Sequence, residues 1–395
     1  MASSETTAKV ISEISEVGAE QWEACANPPV ATACAPIPKN PFITHAFLHA
    51  LEESGSVSAR FGWAPHHIII DDSKGELFGA VPMYLKNHSY GEYVFDHGWA
   101  NAHERAGGNY YPKLQVSIPF TPATGRRLLA RPGPDMKDTQ TRLLAATIQV
   151  AQKLNVSSVH FTFLTEDEWE HLGDLGLLQR TDQQFHWLNR GYETFDDFLN
   201  DLTSRKRKNI KKERQGALDS GITIERLTGS DLKEHHWDAF FDFYEDTGSR
   251  KWGRSYLTRS FFSLIGETMT DQVMLVMCQR GGHYIAGAIN FIGGDTLFGR
   301  NWGCIEDHRF LHFEACYYQA IDFAIERGLG RVEAGAQGAH KLARGYVPTR
   351  TYSAHYLADA RLRDAVERYL IDERQHVDSD IMYLSEHAPF RQDPT

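Results

Sequence analysis

The sequence predicts an α/β (α+β) protein made of two tandem copies of one unit, each a mixed sheet flanked by helices. Three observations predict it. The chain has 395 residues, more than one ordinary hydrophobic core holds, so two domains are expected. Two segments far apart in the chain, His66 to Trp99 and Gln272 to Gly303, follow one script of three strands. Each is followed by a helical pattern and then by a further strand.

The script is read as follows. Each segment opens with a short apolar strand and turns at a polar step containing glycine, Ser73-Lys74-Gly75 or Arg280-Gly281-Gly282. Each returns through a Gly-Ala pair, Gly79-Ala80 or Gly287-Ala288, and sends a third strand into a tryptophan, Trp99 or Trp302. Runs of β-formers punctuated by Gly and Asn signal hairpins, and three runs together make a meander. The helix that follows is expected over Thr139 to Lys153 in the first copy and Phe313 to Arg327 in the second. Apolar residues recur there at spacings of three and four, which buries one face. The closing strands are expected at Val156 to Phe163 and Gly330 to Ala334.

The copies differ between the tryptophan and the helix. The first carries the long stretch Ala100 to Asp138, with Tyr110, Tyr111 and Lys113. A connection that long inside a compact domain is usually functional, and Tyr110, Tyr111 or Lys113 is expected to contribute to a pocket wall. The joint between copies falls near Gly191, which gives domains 1–190 and 191–395. The second domain opens with a basic helix, Ser204 to Arg214, carrying Arg205, Lys206, Arg207, Lys208, Lys211 and Lys212. Such a run is either a solvated face or a contact for phosphate.

The net charge of −11 disfavours a general nucleic-acid binder, because an acidic surface repels phosphate backbones. The basic helix is the local exception. Five cysteines, none in Cys-x-x-Cys spacing, argue against a disulfide framework or a cysteine zinc site. His312, Glu314 and Cys316 have ligand types, but only residues four apart converge on a helix, so no metal site is expected. The first residues lack the apolar core of a signal peptide, and no stretch is apolar enough to span a bilayer. A cytoplasmic protein is expected.

The run Glu314-Ala-Cys-Tyr-Tyr-Gln-Ala-Ile321, the motif Glu333-Ala-Gly-Ala-Gln-Gly-Ala-His-Lys-Leu-Ala-Arg-Gly345, Phe95-Asp-His-Gly-Trp99 and Pro119-Phe-Thr-Pro-Ala-Thr-Gly-Arg-Arg-Leu128 carry a family resemblance. The chain resembles the FemAB-like predicted N-acyltransferases of the GNAT superfamily from about Pro41 to Arg374. The resemblance implies twin GNAT-like domains and transfer of an acyl or aminoacyl group to an amine. The donor it implies is an acyl-CoA or an aminoacyl-tRNA, used as co-substrate rather than held as a cofactor. The acceptor would be a small-molecule or peptide amine in a cleft between the domains. The glycine-rich loop with which ordinary CoA users cradle pyrophosphate is missing from both copies. A protein that kept the fold and only binds an amine-containing ligand is the competing reading.

Acyl transfer to an amine needs a base and stabilisation of a tetrahedral oxyanion. His340 follows the glycine turn and can act as base near neutral pH. Glu333 ends a buried strand just before the turn and is a second candidate base. Asp96 and His97 end the third strand of the first copy and point to opposite faces there, so one of them can face a ligand. Gly335, Gln337 and Gly338 let backbone donors approach a ligand, and Lys341 and Arg344 can hold its phosphate or carboxylate. Arg300 and Trp302 occupy the parallel place in the second copy. Alanine at His340 or Lys341 is expected to weaken ligand binding without unfolding the protein.

Overall fold

The structure is a computed structural model, described for residues 7–29, 37–72, 74–252, 255–335 and 338–391. The chain divides into two compact units. The first comprises residues 1–182 and 351–377, and the second 183–350 and 378–395. The expected boundary at 190 assigned Thr351–Val377 to the second domain, whereas these residues pack within the first unit.

In the first unit, strands Thr7–Ile11, His67–Asp71, Leu77–Val81 and Leu129–Ala130 form one antiparallel sheet in that order. A second sheet runs through Trp63–Pro65, Met83–Lys86, Lys113–Val116 and Ser158–Leu164. Its first pairings are antiparallel, and Lys113–Val116 lies parallel to Ser158–Leu164. Residues Tyr352–Leu357 close it antiparallel to Ser158–Leu164. The helix Met136–Leu154 buries Leu143, Leu144 and Ala151 against Ile68, Val81, Leu114 and Phe161.

The second unit repeats that order. Strands Ile222–Thr228, Val273–Arg280, His283–Ile292 and Thr296–Cys304 are antiparallel neighbours. Arg331–Glu333 then lies parallel to the last of them, and His186–Leu188 pairs antiparallel with Arg331–Glu333. The preceding helical segment, Leu311–Glu326, contains a π turn at Glu314–Tyr318. In both units a helix leads into a strand parallel to its neighbour, and an antiparallel strand follows. These are two α/β units, each a mixed sheet flanked by helices.

One element of the repeat falls elsewhere than expected. Trp302 does lie on the third strand of its meander, Thr296–Cys304, but Trp99 lies on a helix, His97–Arg105. Asp96 therefore precedes a helix and does not end a strand; its carbonyl accepts from Trp99 N at 2.9 Å and Ala100 N at 3.0 Å. The Ala-rich, Glu/Arg-ended run after Asp96 favours helix over strand. The true third strand of the first unit is Lys113–Val116, inside the stretch that looked like a long connection. Ser73 lies outside the described residues. Gly79 and Gly287 both sit on the second strand of a hairpin, opposite Ile70 and Met277.

Side chains alternate along Thr296–Cys304, so Trp302 and Gly303 serve opposite faces. Gly303 packs on the backbone of the helix Glu234–Trp252: an added Cβ would lie 2.2 Å from the Phe243 carbonyl oxygen. Neither backbone is free to yield. Gly303→Ala is expected to lower stability by about 1–3 kcal/mol, as overpacking does. A urea melt checks it, and an unchanged midpoint would mean that this contact is looser than described.

Candidate active site

The sequence candidates fall into two groups, one in each unit. In the second unit, strand Arg331–Glu333 runs into the glycine turn. Gly335 and Gly338 have φ of 75° and 116°, the region that favours glycine. A Cβ on Gly338 would meet the His340 ring at 2.4 Å, so the imidazole lies directly over this residue. A 3₁₀ helix, Ala339–Arg344, then presents His340, Lys341 and Arg344. Gln337 lies outside the described residues.

His340 is exposed, and its Nε2 shares a hydrogen bond of 2.9 Å with the Tyr317 hydroxyl. Partial burial of the ring, with the cations of Arg344 and Lys341 nearby, holds its pKa below the usual 6.5. The imidazole is therefore neutral at pH 7, the state a base needs. Burial pushes the Tyr317 phenol up, so it keeps its proton. Around this pair stand half-buried rings. Trp302 meets His312 edge-on at 5.4 Å, His312 meets Tyr317 at 5.4 Å, and Phe313 lies 5.8 Å from His340. Tyr317 belongs to the π turn, a feature frequent at functional sites.

Arg344 is buried and fully engaged. It donates to Glu213 at 2.8 and 3.1 Å and to the His340 carbonyl at 2.7 Å, and its guanidinium lies 3.4 Å from the Phe313 ring centre. Glu213 also accepts from the Tyr318 hydroxyl. Lys341 is only 4% exposed, and its Nζ donates to the carbonyls of Ala334 and Gly335 at 2.5 and 2.8 Å. Burial pulls its pKa down to about 8. Both were expected as anchors for a ligand anion; the structure uses them to hold the turn. Glu333 is buried, and its Oε2 lies 3.9 Å from Nε2 of His186, its register partner. Burial, with Arg331 and Lys341 nearby, lowers the His186 pKa to about 3, so this ring too is neutral. Arg300 lies partly buried on the same strand as Trp302.

The first-unit candidates form a buried polar cluster. Lys113 donates to Asp96 at 2.5 Å, Glu92 at 2.6 Å and Ser89 at 2.8 Å. Tyr110 donates to Asp96 at 2.7 Å and lies 3.2 Å from His160 Nε2. His160 and His355 share a hydrogen bond of 2.8 Å between their Nδ1 atoms. Burial opposes the Asp96 carboxylate, but the Lys113 ammonium holds its pKa below the usual range. Burial raises Glu92 and lowers Lys86. Tyr110 and Lys113 have no exposed surface, and Tyr111 is half-buried beside them. His97 is exposed and stacks on Phe95 at 6.2 Å, apart from the cluster that holds Asp96. Among the described residues no three His, Cys, Asp or Glu side chains could hold a metal ion. No described helix is long and apolar enough to cross a membrane.

A family-level comparison matches residues 13–392 to the FemAB-like family, described as peptidoglycan biosynthesis/recognition. The chain belongs to the FemAB-like family. Membership gives the class of chemistry: the protein is an acyl-moving transferase, with its donor open. Solved structures share the fold. FemX is 12% identical with a TM-score of 0.54, over 92% of this chain and 100% of its own. The C-terminal domain of a putative lysylphosphatidylglycerol synthetase from Agrobacterium fabrum is 9% identical with a TM-score of 0.52, over 90% and 95%. L-PGS from Bacillus licheniformis is 10% identical with a TM-score of 0.50, over 85% and 98%. No curated protein matches the sequence.

In this FemAB-like chain, sequence reasoning missed Tyr317, Glu213 and His186. Tyr317 stood in a quoted motif with nothing to mark its hydroxyl. Glu213 was hidden among lysines and arginines. The turn also corrects one expectation about alanine. His340→Ala is expected to leave stability within about 0.5 kcal/mol, as at an exposed site. Lys341→Ala removes two hydrogen bonds from a buried ammonium and is expected to cost about 2–3 kcal/mol. Paired thermal melts check this, and equal midpoints would mean that Lys341 does not hold the turn.

Proposed function

We propose that the protein transfers an aminoacyl group from aminoacyl-tRNA to a primary amine of a small molecule or peptide, with His340 as the base that takes the ammonium proton. One observation carries the donor assignment. The helix Ser204–Leu218 exposes Arg205, Lys208, Lys211 and Lys212, with Lys206 and Arg207 half-buried beside them, on a chain of net charge −11. The fold gains little from these charges. Cations in the first turn oppose the helix dipole, and the Lys211 pair with Asp196, at 3.2 Å, is exposed on both sides. A polyanion does gain from them.

Glu213 lies on the inner side of this same helix and binds Arg344 of the His340 turn. A donor gripped by the helix would thus be placed near the base by two parts joined through one ion pair. The rings of Trp302, His312 and Phe313 offer stacking surface for its end. The family's description, peptidoglycan biosynthesis/recognition, supports a peptide amine as acceptor. An acyl-CoA donor fits less well, because the sequence lacks the glycine-rich pyrophosphate motif in both copies.

Purified protein is given mixed aminoacyl-tRNAs or acyl-CoAs with a panel of amines and peptides. Transfer from aminoacyl-tRNA is expected, falling about 10²–10⁴-fold in His340→Ala. Charge reversal at Arg205 and Lys208 is expected to raise KM for tRNA with little change in kcat. Transfer from acyl-CoA alone would overturn the donor assignment. Binding of an amine without transfer from either donor would favour the binding-only reading.

The pH dependence has a definite sign. His340 has a lowered pKa, so it stays deprotonated as pH falls through 6.5 and protonates only below that. The acid limb of kcat/KM is expected below 6.5 and absent in His340→Gln. A limb at or above 6.5 would point to another base.

A further inference from the structure

Lys86 and Lys113 are direct register partners on antiparallel strands, and both side chains are fully buried. Like charges opposite each other on a ladder repel, and buried cations need anions. What meets them is the segment that follows the first strand, residues 87–96, which has neither helix nor strand. Lys113 takes Ser89, Glu92 and Asp96 from it. Lys86 donates to the Tyr90 carbonyl at 3.1 Å and lies 3.7 Å from Glu92 Oε1 and 3.4 Å from the Trp63 ring centre.

The fit of this segment is incomplete. Glu92 Oε1 and Asp96 Oδ1 are buried and make no hydrogen bond, in residues 4% and 2% exposed. Tyr93 has φ of 61°, a strained value for a tyrosine. Two large rings of the segment, Tyr90 and Phe95, point outward, 65% and 60% exposed. Glu92 thus sits against both lysines and Asp96 on Lys113, each with one oxygen that makes no hydrogen bond, in a strap strained at Tyr93.

We propose that Lys86 and Lys113 form an oxyanion-binding site, which the strap 87–96 covers with Glu92 and Asp96 as stand-ins for a ligand phosphate or carboxylate. Binding displaces the strap carboxylates and leaves the ligand oxygens on both ammonium groups. Lysine suits this role as a compact charge with three donors. Removal of Asp96 also frees the Tyr110 hydroxyl to donate to the ligand. The site stands independently of the donor assigned above.

The test uses the full chain and needs no turnover. Wild type and the shape-conserving Glu92→Gln/Asp96→Asn variant are titrated with inorganic phosphate, pyrophosphate and acetate by calorimetry. Hydrogen exchange of residues 87–96 is followed in parallel. An oxyanion is expected to speed strap exchange in wild type and to bind the variant about tenfold more tightly, since its competitor is weakened. Lys86→Met should lose most of that affinity. Binding of phosphate or pyrophosphate alone assigns a phosphoryl ligand; binding of acetate assigns a carboxylate. If the variant does not melt cooperatively, wild-type exchange at millimolar pyrophosphate and acetate decides. Strap exchange that no oxyanion changes, or a folded variant that binds none, would overturn the proposal.

Discussion

The ion pair between Arg344 and Glu213 is the constraint on which the second-unit site depends. Arg344 is 6% exposed, and its planar fork meets the carboxylate through two hydrogen bonds. The same guanidinium lies on Phe313 and holds the His340 carbonyl. One side chain therefore joins the basic helix, the segment with the π turn and the loop that carries the base. Removal of either partner would leave a buried charge uncompensated, which costs far more than the pair contributes. Lys341 completes the frame from below by holding the first carbonyls of the turn.

The two units use buried charge differently. In the second, ion pairs and carbonyl bonds fix a scaffold, and the chemistry stands on it as a neutral, exposed imidazole. In the first, the ionic groups are themselves the interior. Lys86, Lys113, Glu92, Asp96, His160 and His355 are buried where apolar side chains would cost less. Tandem copies of one fold have thus kept their sheets and diverged in the polar groups placed on them.

Much of the fold was legible because it rests on periodicity and on glycine. The helices Met136–Leu154 and Leu311–Glu326 and the strands after them follow apolar spacing that tertiary packing reinforces. The first-unit third strand was not legible. Lys113–Val116 has a lysine at its start and glutamine inside, so it reads as a loop until Glu92 and Asp96 are known to meet the lysine. Asp96 resembled a strand end because Tyr93-Val94-Phe95 are β-formers, and the helix after it is too short to announce itself. At the candidate site, the motif marked the glycine turn, on which the structure places His340 exposed. It did not show the partners of Lys341 and Arg344. Residue type shows a cation, whereas the partner that occupies it, a carbonyl or Glu213, comes from packing that spacing does not encode.

The claim at the centre of this account is that the basic helix and the His340 turn work as one device joined through Glu213 and Arg344. A double-mutant cycle tests it directly, with Glu213→Gln, Arg344→Gln and the pair compared by kcat/KM for aminoacyl transfer and by tRNA affinity. The account predicts that each single change lowers kcat/KM while tRNA affinity holds, and that the double variant is no worse than the poorer single one. Effects that multiply, or a loss of tRNA affinity in step with kcat/KM, would contradict it.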